Sequence, residues 1–127
     1  MTARRTPARR TVYRVEDADG GGPYSALEPP TRRGTPIYTA HENAAHPTPS
    51  EDGVGHLRDD EMCGLASLPA LRTWFADWGA ALDRAGFRVV AYRVPKHRVR
   101  YGQVQLVFVR GGLKPSWSKS TSEAWVW

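Results

Sequence analysis

Between Leu68 and Leu82 the apolar residues recur every three or four positions. Leu68, Leu71, Phe75 and Trp78 share one face of a predicted helix, and Trp74 flanks that face. Ser67 stands just ahead, where its hydroxyl can accept a backbone N–H that the first helical turn leaves unpaired. Pro69 fits the same turn, which does not need its missing N–H. Gly79 is expected to bend or interrupt the helix, Ala80-Ala81-Leu82 to resume it, and Gly86 to stop it. From Phe87 the period changes to two. Phe87 to Val94 predicts a strand with Phe87, Val89 and Ala91 on one side and Val90, Tyr92 and Val94 on the other. Pro95 to Arg98 reads as a turn and Val99 to Tyr101 as a short extended piece. Gln103 to Val109 is the next strand, with Val104, Leu106 and Phe108 on its core face. A hairpin and one helix are marginal alone, so a further strand is needed, and Val12 to Glu16 supplies it.

These elements predict an α+β fold, a small and mainly antiparallel sheet packed against one or two helices. A length of 127 residues suits one domain near the lower end of what builds a core. The expected organisation is a disordered basic arm over 1–11, the α+β domain over 12–110 and a polar, Trp-containing tail over 111–127. Asp17 to Tyr24, with three successive glycines, must be a loop. Residues 25–60 stay rich in Pro, Gly, Thr, His and acids, a length of irregular chain that is often functional. Within it Ile37-Tyr38-Thr39 suggests a short strand, and His46-Pro47-Thr48-Pro49 excludes helix. Exposed Trp125 and Trp127 would be unusual, so the tail is expected to dock.

Charge adds a class of partner. Eighteen Lys and Arg against thirteen Asp and Glu leave +5, a balance compatible with nucleic acid or nucleotides and equally with an Arg-rich protein that binds neither. Arg93, Lys96, Arg98 and Arg100, with His97 and Tyr101, form the best candidate nucleic-acid surface. A solvated turn accounts for them as well. Cys63 is the single cysteine, which rules out an internal disulfide and fits a reducing compartment, the cytoplasm. Its apolar neighbours favour a structural thiol over a nucleophile. The four histidines show no compact ligand spacing, so no metal site is expected. The glycine run lacks the Lys and Ser/Thr of a phosphate loop and the spaced acids of a calcium loop. No membrane-spanning stretch and no signal-peptide pattern occur.

Two resemblances follow. Tyr13-Arg14-Val15-Glu16, Gly22-Pro23-Tyr24, His46-Pro47-Thr48-Pro49 and Cys63 to Leu68 form a pattern. It continues through Leu71, Trp74-Phe75, Gly86-Phe87 and Gln105 to Phe108. The pattern resembles small phage and prophage proteins of high-GC bacteria, which implies action in the host cytoplasm and brings no activity. The chain also resembles ADP-ribosyltransferase-like domains in arrangement. Those carry an Arg or His on the first strand, a Ser or Thr leading into a helix, and a Glu or Gln on a late strand. By that likeness Arg14 would hold the pyrophosphate of NAD, Tyr24 would stack on the nicotinamide and Ser67 would steady the first element. Gln105 stands where the catalytic Glu would be. An amide offers only a dipole to a developing oxocarbenium ion, so the resemblance implies binding of NAD or a related nucleotide more than transfer. Besides nucleotide and nucleic acid, the sequence admits a third partner, a host protein met through the Trp-containing tail.

Overall fold

In the computed structural model residues 8–125 are described, and residues 1–7 of the basic arm, with Val126 and Trp127, lie outside them. The chain runs β1 (Arg9–Glu16), β2 (Thr31–Arg32), β3 (Thr35–Pro36), α1 (Ile37–Ala40), β4 (Glu61–Gly64), α2 (Leu68–Trp74) and α3 (Gly79–Arg84). It continues with β5 (Arg88–Pro95), a 3-10 turn at Lys96–Arg98, β6 (Val99–Tyr101), β7 (Leu106–Val109), β8 (Trp117–Lys119) and α4 (Thr121–Ala124). This is the α+β class that the hydrophobic periods predict.

The helical block begins as expected, with Ser67 Oγ accepting the Ala70 N–H at 3.1 Å. It breaks earlier than Gly79. Phe75 ends α2, Asp77 turns the chain at φ 69°, and Gly79 opens α3 instead of interrupting a longer helix. A Cβ on Gly79 would stand 3.0 Å from Trp125 Nε1 and 3.1 Å from Thr121 Oγ1, so the glycine is what lets the C-terminal segment lie against α3. That segment docks. β8 pairs with β5, Ser120 and Glu123 cap α4 reciprocally, and Thr121 donates to Asp83 Oδ1 and to the Gly79 carbonyl.

Sequence neighbours are not sheet neighbours here. The strands at 88–95 and 106–109 do not form a hairpin. β5 pairs antiparallel with β1 from Arg9↔Pro95 to Glu16↔Arg88, whereas β7 pairs with β6 and with β4. The 3-10 turn after Pro95 carries the chain out of the first sheet, and β6 then folds back on β7. Gln103 to Gln105 fall outside β7 because the Asp52 carboxylate takes the N–H groups of Val104 and Gln105. Val104 is consequently half exposed rather than on the core face. Near 37–39 the expected strand is instead the single turn of α1, entered through extended Pro36.

Two cores result. Val89, Val15 and Phe87 pack under the helices with Leu71, Trp74, Phe75, Trp78 and Leu82. On the opposite face of β1 and β5, Val12, Val90, Tyr92 and Val94 meet Val99, Leu106 and Phe108 of the second sheet. A bridge from Tyr13 to Leu65 joins β1 to the end of β4. Both faces of β5 are therefore buried, as its two apolar sides predict.

Candidate functional site

Residues 24–46 build a cluster against the C-terminal end of α2. Trp74 Nε1 donates to the Tyr24 hydroxyl at 2.6 Å, and that hydroxyl lies 2.5 Å from His41 Nδ1. Indole N–H can only donate, so the Tyr24 oxygen accepts from Trp74, and its second hydrogen bond, with His41 Nδ1, runs in the direction that the ring's tautomer sets. Burial, with the charge of His46 second, pushes the pKa of His41 down to about 4. His46 stacks on His41 with ring centres 3.7 Å apart and planes 8° from parallel. Asn43 fixes its neighbour's orientation, since its Nδ2 donates to the Ala40 carbonyl and its Oδ1 accepts from the Ala45 N–H. That Oδ1 lies 2.8 Å from His46 Nδ1, and the Trp74 carbonyl lies 2.7 Å from His46 Nε2. Both ring nitrogens of His46 therefore face oxygen acceptors.

Beside this pair lies a groove of about 420 Å³. Arg32, Arg33 and Thr35 form one wall, and Ala40, His41 and His46 with Ala76, Asp77 and Trp78 form the rest. Arg32 sits over the Trp78 ring, 5.6 Å from its centre. Arg33 and Gly34 join β2 to β3 with φ of 50° and 80°, the mirror-image turn that normally selects Asn-Gly. Among the described residues, Arg33 and Asp77 are the non-glycine residues with left-handed backbone, and both line this groove. Such a conformation costs an arginine about 1 kcal/mol or more. Strain of that kind gathers where a side chain must be held for a purpose other than stability.

Residues 2–120 match the family model of the Bacteriophage T4 Y00F protein. The chain belongs to that phage family. No curated protein and no solved structure is significantly similar to it, so the ADP-ribosyltransferase resemblance finds no counterpart there.

Of the residues expected to form a nucleotide site in this Y00F-family protein, Tyr24 alone lies in the histidine cluster. Arg14 is buried on the inner side of β1. Its Nε stands 2.9 Å from Glu16 Oε2, a charge contact whose N–H is not aimed along it, and its Nη1 donates to the Cys63 carbonyl. Burial lowers its pKa, and Glu16 opposes that shift. Ser67 spends its hydroxyl on the cap of α2. Gln105 Nε2 donates to the Pro47 carbonyl, one residue beyond His46. β4 pairs with β7 and its end meets β1 through the Tyr13–Leu65 bridge, yet Gln105 is one residue out of phase with core-facing Leu106. Among the described residues no hydrogen bond or ion pair links any two of Arg14, Ser67 and Gln105.

In the same Y00F-family chain the basic hairpin is divided. Arg100 grips both oxygens of Glu61 and the carbonyls of Val54 and His56, which ties the 54–61 loop to β6. That pairing holds the Glu61 carboxyl down at a pKa of about 2. Arg93 donates to Thr11 Oγ1, Lys96 is exposed and Arg98 half-buried. Cys63 sits in β4, partly buried, its thiol pKa raised by burial. Sequence reasoning missed Arg32, Arg33, His41, His46 and Trp78 as a set. Two signals were available: Arg-Gly at a two-residue turn, and His46 heading a proline-stiffened segment.

Proposed function

We propose that this phage-family protein acts in the host cytoplasm by binding a nucleotide or a related phosphate-bearing aromatic ligand. The observation that carries the reading is the groove in which Arg32 and strained Arg33 face the stacked histidines beside the Trp78 ring. Guanidinium groups suit phosphate oxygens, and the half-buried His46 ring supplies an aromatic group at the groove. Tyr24 serves this site by fixing the His41 ring, and Gln105 by holding Pro47 and hence the segment that presents His46. With Gln105 an amide and engaged by a carbonyl, the site is suited to binding rather than to ADP-ribosyl transfer. Isothermal titration with ADP and with NAD tests the proposal. Saturable heat is expected for the wild type and at least tenfold weaker binding for Arg33→Ala; no saturable heat with either ligand would overturn it.

A second reading is favoured by the outer end of the β1–β5 ladder. Arg9, Arg10, Arg93 and Lys96 are all exposed there. A nucleic-acid backbone along that edge would be held with an affinity that drops steeply as salt rises, and Arg93→Ala with Lys96→Ala would weaken it. Binding that ignores salt would dismiss this reading.

A further inference from the structure

Burial falls away along one side of the first sheet. Residues paired in register share a side, so Tyr13, Ala91 and Trp117 form one rung across β1, β5 and β8. Val15 and Val89, the next rung, are buried in the helical core. Tyr13, Trp117 and Thr11 are half-buried, and Arg9 and Arg93, farther out, are exposed. Ala91 is small and fully buried, which lets the rings on either side meet above it. Their centres are 6.0 Å apart and their planes 49° from parallel. The two side chains make one aromatic wall, with both residues partly open to solvent.

Cations frame that wall. Arg93 Nη1 donates to Thr11 Oγ1 and Arg9 Nη1 to the Arg93 carbonyl, each at 3.0 Å, which holds both guanidinium groups along the sheet. On the other flank Lys119 Nζ stands 5.0 Å from the centre of the Trp117 ring. No acid of β1, β5 or β8 lies on this side, because Glu16 and its partner Arg88 face the opposite one. Among the described residues neither Arg9 nor Arg93 has an ion-pair partner.

We infer that this side of the sheet binds a single-stranded nucleic acid, an extension that rests on the second reading above. The cations alone would take the phosphates of duplex and single strand alike. The aromatic wall decides between them. Bases in a duplex keep their faces against one another, and only an unpaired base can turn its face to Tyr13 or Trp117. With Arg9 and Arg93 on one flank and Lys119 on the other, a strand crossing the sheet has its phosphates held on both sides of the stacked base.

Fluorescence anisotropy with the full chain tests this, using labelled oligothymidylate and oligouridylate of about ten nucleotides and a DNA duplex of the same length. The single strands are expected to bind roughly tenfold more tightly than the duplex. Tyr13→Leu and Trp117→Leu keep apolar packing over Ala91, and each should weaken single-strand binding roughly tenfold with the salt slope unchanged. Trp117→Phe should keep most of the affinity. Arg93→Ala should weaken single strand and duplex alike and flatten the salt slope. Should the leucine variants fail to fold, the wild type still decides. Its Trp117 indole N–H resonance, assigned by its loss in Trp117→Phe, should shift saturably with oligothymidylate. Preference between the two single strands separates DNA from RNA as the source. Equal affinity for single strand and duplex, leucine variants that bind like the wild type, or an unmoved Trp117 resonance overturns the inference while sparing the nucleic-acid reading. Binding of neither single strand nor duplex removes both.

Discussion

Glu16→Gln is the sharpest test of how the inner side of β1 is held. The Glu16 carboxylate accepts from the Tyr92 hydroxyl at 2.8 and 3.0 Å, and lies 2.9 Å from both Arg14 Nε and Arg110 Nη1. The side chains of Arg14 and Glu16 are only 9 and 6 % exposed. Glutamine keeps the shape and the acceptor for Tyr92 but leaves two guanidinium groups with no counter-charge. An arginine does not escape by losing its proton. Removing one partner of a buried ion pair costs about 3–5 kcal/mol. The lower end applies because Arg110 is partly exposed and can turn to water. About 3 kcal/mol in a chain of this size lowers Tm by roughly 10 °C. Thermal unfolding followed by circular dichroism reads the change directly. Arg14→Leu added to Glu16→Gln should recover much of the loss, because it removes the stranded charge, and the pair should couple by more than 1 kcal/mol. A loss below about 1 kcal/mol for Glu16→Gln, or no recovery in the double variant, would refute the reasoning. The double variant should still bind nucleotide like the wild type, which separates a structural Arg14 from one that grips a pyrophosphate.

Three further outcomes are expected. Arg33→Gly should raise stability by about 0.5–1 kcal/mol in denaturant unfolding, because glycine adopts φ 50° freely, while weakening ADP binding; losing both stability and affinity would argue against stored strain. Acid should act in two adjoining windows: His41 stays neutral when folded, so the unfolded chain takes up a proton first and stability falls from about pH 6.5 toward 4. Glu61, depressed to about 2 by Arg100, adds a loss from about 4.5 downward. His41→Asn should flatten the first slope and Arg100→Met the second in pH-dependent urea unfolding, and unchanged slopes would dismiss the assignment. Gly64→Ala places a Cβ 2.6 Å from Val12 Cγ1 and 3.1 Å from the Tyr13 carbonyl, so it should cost about 1–3 kcal/mol by forcing β4 away from β1; a neutral substitution would show that the junction is loosely packed.

The parts of the fold legible in the sequence are those where side-chain period alone decides. The apolar face from Leu71 to Leu82, the Ser67 cap and the two buried sides of β5 needed no tertiary information. The pairing of β5 with β1 did need it, because loop closure between Glu16 and Arg88 leaves no local trace. β4 was hidden for a related reason: Glu61-Met62-Cys63-Gly64 is too short to show alternation, and Gly64 is there for close approach to Val12. Val104 has the right spacing for the core, and Asp52, distant in sequence, overrides it by taking the backbone N–H groups. The candidate groove was the least legible feature. It is assembled from a hairpin tip, a helical turn and the α2–α3 break. Its histidines meet by stacking, which imposes no spacing rule of the kind metal ligation does.

The claim on which the account rests is that the groove between Arg33 and Trp78 receives a nucleotide. A ¹H–¹⁵N NMR titration of the full chain with ADP measures this residue by residue. The account predicts saturable shifts concentrated at the amides of Arg33, Gly34, His41, Asp77 and Trp78. Shifts confined to the Arg14–Gly22 region, or none anywhere, would contradict it.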